Sequence, residues 1–161
     1  MADLLVWLEG SALGHAMRNA GVWTYGIVNL THILGVSSLF GAVLVLDLRL
    51  IGLWRRVPLG AIARPTVPIA TGGFIVAVTS GVCLITTNGS EYVGNPFLLI
   101  KFPAIVLGVV NVAVLSRLPA WKARENRDVT ESERRILSVF GAISLLSWLT
   151  AISAGRLIGY W

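Results

Sequence analysis

The sequence predicts an all-α integral membrane protein, a four-helix bundle with an N-terminal amphipathic helix lying at the membrane interface. Three observations carry that expectation. The chain of 161 residues is 55% hydrophobic and only 13% charged, with a mean hydropathy of +0.78, whereas soluble domains carry about 25% charge. Its apolar residues fall in long runs rather than alternating patterns. Four of those runs are long enough to cross a hydrocarbon core of about 30 Å, which takes about 20 residues.

The spans read as residues 22–46, 67–86, 97–115 and 136–158, within a single transmembrane domain over residues 1–161. Residues 2–18 are too short and too polar to cross. Within them Leu4, Leu5, Leu8, Ala12 and Leu13 share one helical face flanked by Trp7, the pattern of a helix lying in the interface. No secretory signal is read there, because the stretch lacks a basic leader and Glu9 interrupts its apolar run. The charged connection 119–133 leads into the last helix, with Thr130 as N-cap and Glu133 three residues on.

A net charge of +5 raises the question of nucleic acid, and the location of the charges answers it. Residues 47–64 carry +3 and residues 117–135 carry +2, which is the whole excess. The basic residues are therefore a topology signal that places the first and third connections in the cytoplasm. The second connection has Glu91 and no Lys or Arg, so it faces outward. Both termini are then outside, in the periplasm for a Gram-negative inner membrane. Trp23, Tyr25, Tyr160 and Trp161 fit an outer aromatic belt and Trp54 an inner one. The lipid bilayer is the expected partner and nucleic acid is not.

Small residues suggest where spans approach one another. Gly73, Ala77 and Gly81 recur every fourth residue along the second span, as do Ser37 and Gly41 on the first, with Gly155 and Gly159 near the end of the chain. Such ridges allow close helix contact within the chain or in a homo- or hetero-oligomer. Cys83 is the sole cysteine, which excludes an intrachain disulfide and reads as a small packing residue. No Ser-His-Asp set, GxGxxG, Walker loop or HExxH is present, so no catalytic residue is assigned.

The polar residues within the spans carry what functional signal there is. His32 stands about 15 Å into the first span at 1.5 Å per residue, near the bilayer midplane. Tyr25 and Asn29 share its face by spacings of four and three, and that face is expected to turn into the bundle. Three roles fit the imidazole: a hydrogen bond across helices to Ser144, Ser147 or Asn111, a ligand to b-type haem or a metal ion, or a proton relay or quinone contact. Lys101 and Arg156 lie at comparable depth near the outer ends of spans three and four. They either snorkel to the interface or together form an outward-opening anion clamp above His32. Pro103 withdraws a donor from the carbonyl of Leu99 and loosens that turn. Asp47 and Arg49 read as an ion pair closing the inner end of span one. His15, beside Met17, reads as an exposed interfacial residue or as an additional metal ligand.

The stretches WLEGSALGHAMRNAGVWTYGIVNLTHILG, LDLRLIGLWRRVPL, NPFLLIKFPAI and AGRLIGYW resemble a bacterial family of small four-helix inner-membrane proteins without assigned function. More distantly, a first-span histidine followed by small residues is similar to copper-resistance D-type membrane proteins and to b-type cytochrome bundles. That likeness implies periplasm-facing redox chemistry or copper handling. The sharpest version is a membrane subunit of a redox system that binds haem b, with His32 on the iron, Asn29 and Tyr25 beside it, and Lys101 and Arg156 on the propionates. Transport or handling of a metal ion such as copper, with His32, His15 and Met17 as ligands, is one alternative, and a structural or assembly subunit is the other. The sequence departs from both groups in having one histidine within its spans and no Met- or His-rich stretch.

Overall fold

The computed structural model describes residues 2–125, 127 and 129–161, so Asp128, one of the charges counted above, lies outside the described residues. The chain is all-α, with no strand among the described residues: α1 (Ala2–Glu9), α2 (Ala12–Asn19), α3 (Gly21–Ile51), α4 (Leu59–Thr87), α5 (Pro96–Leu115), α6 (Pro119–Ala123) and α7 (Glu131–Leu157). Single 3-10 turns follow α4, at Gly89–Tyr92, and α7, at Ile158–Tyr160. Helices α3, α4 and α5, and α7 with the turn after it, are long and apolar enough to cross a membrane. Leu99, Val106 and Leu107 on α5 and Leu146 on α7 are exposed, as expected of side chains meant for lipid rather than water.

The helices outrun the apolar segments that announce them. Helix α3 continues through Asp47 and Arg49 to Ile51 and stops where Gly52 adopts a φ of +130°. There the N–H groups of Gly52 and Leu53 both close on the carbonyl of Leu48, at 3.1 and 2.9 Å, which satisfies the helix end. Helix α4 begins at Leu59 rather than residue 67, and it contains Pro65 and Pro68. The two rings remove the donors for the carbonyls of Ala61 and Arg64. Both of those residues line an open cavity of about 730 Å³. Helix α7 starts as expected, with the Thr130 hydroxyl on the Glu133 N–H and the Glu133 carboxylate returning to the Thr130 N–H.

The N-terminal segment is two short helices, not the single helix expected over residues 2–18. Gly10 and Ser11 break it, and the Ser11 hydroxyl caps α2 at the Gly14 N–H, 3.2 Å away. The apolar face shared by Leu4, Leu8, Ala12 and Leu13 runs across the break and concealed it. Leu5 and Met17 are buried while Leu4, Trp7 and Leu13 are exposed.

Packing divides the chain into two units, Met1–Leu39 with Thr71–Pro96, and Phe40–Ala70 with Phe97–Trp161. In the first, α2 caps the end of α4. Arg18 donates to the carbonyls of Thr86 and Thr87, at 3.4 and 3.2 Å, and to that of Glu9 at 2.8 Å. In the second, Leu50, Leu59, Leu115, Trp121, Val129 and Leu137 form the core. Trp121 arrives there from α6, inside a connection that reads as mere charge, and the Arg124 guanidinium lies 3.9 Å from its ring centre.

Candidate functional site

Within the first unit α3 and α4 approach through glycine. A Cβ on Gly73 would stand 2.5 Å from the backbone nitrogen of Leu39, and one on Gly35 would stand 2.8 Å from that of Ala77. The ridge expected on α4, Gly73–Ala77–Gly81, is the contacting one. Its partner on α3 is His32–Gly35–Leu39, not Ser37 with Gly41: Ser37 is exposed, and a Cβ on Gly41 would meet nothing within 4 Å. Small residues occur on lipid-facing surfaces too, so spacing alone did not select the face.

His32 sits half-buried on this seam. Its Nδ1 is 2.9 Å from the Ala77 carbonyl and 3.1 Å from the Ser80 hydroxyl. A carbonyl only accepts, and the Ser80 hydroxyl donates to the Val76 carbonyl at 2.5 Å. The proton of a neutral His32 is therefore on Nδ1, shared between the two acceptors, and Nε2 is its basic nitrogen. Gly81 makes room for the ring, since a Cβ there would lie 3.1 Å from His32 Cε1.

The other first-span residues are arranged differently from the expected inward face. Asn29 is exposed, and Tyr25 is 37% exposed. The seam runs through Gly35, about 60° to one side of His32 at 3.6 residues per turn, and Asn29 lies about 60° to the other. Tyr25 lies near Tyr92 of the following 3-10 turn. Burial, and after it the Tyr25 phenol and Glu91, raises the Tyr92 pKa.

His15 is exposed and has the opposite tautomer. Arg18 approaches its Nδ1 at 3.3 Å, and a guanidinium only donates, so Nδ1 accepts and a neutral ring has its proton on Nε2. Met17, on the same helix, is buried. No group of three or more His, Cys, Asp or Glu side chains that could hold a metal occurs among the described residues.

The remaining candidates belong to the second unit. Lys101 is half-buried, and its ammonium would lie 3.6 Å from a Cβ on Gly155, the neighbour of Arg156. Arg156 stacks 4.7 Å from the Tyr160 ring centre and donates to the Tyr160 hydroxyl. The structure thus brings Lys101 to the segment carrying Arg156, and neither forms an ion pair among the described residues.

The residues expected to bond His32 have partners of their own in this unit. Asn111 donates to the Phe140 carbonyl at 3.0 Å, Ser147 to the Ile143 carbonyl at 2.7 Å, and Ser144 bonds the buried Asp47 carboxyl. Asp47 and Arg49 also turn to different partners, because residues two apart on a helix face opposite ways. Arg49 is buried with Nε and one terminal nitrogen on the Val57 carbonyl, at 2.9 and 2.8 Å.

Ser80 and the Ala77 carbonyl are the groups sequence reasoning missed. Ser80 lies beside the small-residue ridge, which was the available signal; a backbone carbonyl leaves none. No curated protein and no solved structure matches the chain. A family profile does match, over residues 4–161, and the chain belongs to that family, a family of unknown function (DUF6644).

Proposed function

We propose that this is a multi-pass inner-membrane protein, with both termini outside, that holds a b-type haem through His32 and acts as the membrane subunit of a redox system. The observation that carries this reading is the Nδ1–H bond to the Ala77 carbonyl. Ligating histidines characteristically donate one ring N–H to a carbonyl or carboxylate, which sets the ring's orientation and makes the other nitrogen the more basic ligand. A single imidazole would supply one protein ligand to the iron. When bound, the haem would supply one-electron chemistry. The chain's own part is to orient Nε2, with Ser80 and Ala77 as positioning groups and Gly81 as the space for the ring. His15, exposed and in contact with Arg18, is not required in this reading.

An absorption spectrum of protein purified gently from its native membrane tests the proposal. A Soret band should be present, absent in His32→Ala, and retained in Ser80→Ala with haem affinity about 10–100-fold weaker, as for other second-sphere partners. Colourless protein that also fails to take up added haem would overturn it. A second reading rests on the same ring's bonds to both Ala77 and Ser80, which make it a polar cross-link between α3 and α4 in a structural subunit. In that case His32→Ala and Ser80→Ala both lower the melting temperature and no chromophore is involved. Orientation is tested by cysteine labelling at Glu91 and Lys122, which should react from opposite sides.

A further inference from the structure

The second unit carries a group of arginines that the haem reading does not use. Where α3 ends and α7 begins, Arg49, Arg55, Arg134 and Arg135 line a cavity of about 60 Å³ together with Glu131 and Ser138. Three of the four guanidinium groups are anchored in the same way, through Nε on a backbone carbonyl. Arg49 is held by Val57 at 2.9 Å, Arg55 by Gly52 at 3.2 Å and Arg134 by Val129 at 3.3 Å. Such anchors fix the direction of a guanidinium without cancelling its charge.

Glu131 is the one carboxylate in the lining, and Glu133 nearby is bound by Arg127 through both oxygens, at 2.9 and 2.8 Å. Arg55, Arg134 and Arg135 form no ion pair among the described residues. Moreover, Arg134 and Arg135 occupy the start of α7, the end of a helix that favours negative charge. Arg55, Arg134 and Arg135, gathered around a space of this size, repel one another, and an anion within it relieves the repulsion.

We infer that this cavity binds a phosphate group, and that in the membrane its source is the headgroup of an anionic phospholipid. A planar guanidinium presents paired donors that match phosphate oxygens. The volume, about 60 Å³, is several times the ~10–15 Å³ that holds one water molecule on that measure, which leaves room for one phosphate. The cavity lies where α3 ends and α7 begins, which in the proposed topology is the cytoplasmic headgroup layer, where basic pockets between spanning helices dock such lipids. Trp54, half-exposed on the adjoining turn, is the residue type that favours that layer. The inference is independent of any role for His32.

Native mass spectrometry of the full chain from mixed micelles of phosphatidylglycerol and phosphatidylcholine is the test. Phosphatidylglycerol should be retained in preference, and Arg134→Gln/Arg135→Gln should weaken that retention about tenfold or more, the worth of one charge-assisted hydrogen bond. Arg55→Gln should act in the same direction, while Arg117→Gln, exposed and outside the cavity, should leave retention unchanged. If inorganic phosphate raises the melting temperature of the wild type but not of the double variant, and no lipid preference appears, the phosphate site stands and its source is soluble. Loss of preference in Arg117→Gln equal to that in the double variant would overturn the site in favour of bulk charge. So would failure of both lipid and inorganic phosphate to distinguish wild type from the double variant.

Discussion

The two halves of α3 solve the problem of helix contact in opposite ways. Up to Leu39 the helix packs on α4 by omission: Gly35 and Gly73 remove side chains until backbones nearly touch, and one polar ring fills the space that Gly81 leaves. From Phe40 onward it packs by addition. Leu50 enters an apolar core with Leu137 and Trp121, and Asp47 is buried against Ser144. Lipid offers no hydrophobic drive between helices, so close van der Waals contact or polar bonding must supply it. The first half relies chiefly on the former and the second combines core packing with the latter. A methyl group should therefore be the sensitive probe of one, and a lost hydroxyl of the other.

The largest effect is expected at the glycine seam. Gly73→Leu places its Cβ against the backbone of Leu39, which cannot rotate away, and should cost about 3 kcal/mol or more. Gly41→Ala, on α3, meets nothing within 4 Å and should change stability by no more than about 0.5 kcal/mol. Thermal unfolding in detergent, followed by circular dichroism, compares the pair. Equal effects would mean that the close approach contributes no stability.

The second unit should respond to hydrogen bonding instead. Asp47 is 3% exposed, and its Oδ2 has no hydrogen-bond partner among the described residues, so the bond from Ser144 is a large part of its solvation. Ser144→Ala should cost about 1–3 kcal/mol. Asp47→Leu in the same chain should recover most of that loss, because an apolar pair leaves no orphaned group. A double-mutant cycle on the melting temperature measures the recovery, and simple additivity of the two losses would argue against the pairing.

This contrast also explains which features were legible in the sequence. Run length marked all four long helices, since lipid exposure forces whole segments to be apolar. The Thr130–Glu133 cap was legible because both partners lie within one turn. His32 stood out as the ionisable group in an apolar run, but its partner did not, because the Ala77 carbonyl looks like every other carbonyl. The start of α4 was hidden behind Pro65 and Pro68, which ordinarily mark a boundary, and the break at Gly10–Ser11 behind an unbroken amphipathic pattern. Asp47 and Arg49 looked like partners because they are close in sequence, whereas helical geometry sends them apart.

The smallest expected effect separates the units by pH. The Glu9 carboxylate accepts the Ser90 N–H at 2.6 Å. Hydrogen bonds from the Ser90 hydroxyl and N–H, with a lesser contribution from Arg18, hold its pKa below the ordinary carboxylate value. A depressed folded-state pKa gives stability that is fully present above the unfolded value and lost as pH falls through the folded one. The N-terminal helices should therefore loosen from the 3-10 turn at acid pH and not at neutral pH. Glu9→Gln should lower the melting temperature slightly at neutral pH, and its difference from wild type should vanish as the carboxylate protonates. The Arg49 anchor in the other unit is to the backbone carbonyl of Val57 rather than to a carboxylate. Arg49→Gln should accordingly lower the melting temperature by an amount that does not track carboxylate protonation. A Glu9→Gln difference that persists unchanged into acid would mean that the contact with Ser90 does not depend on charge.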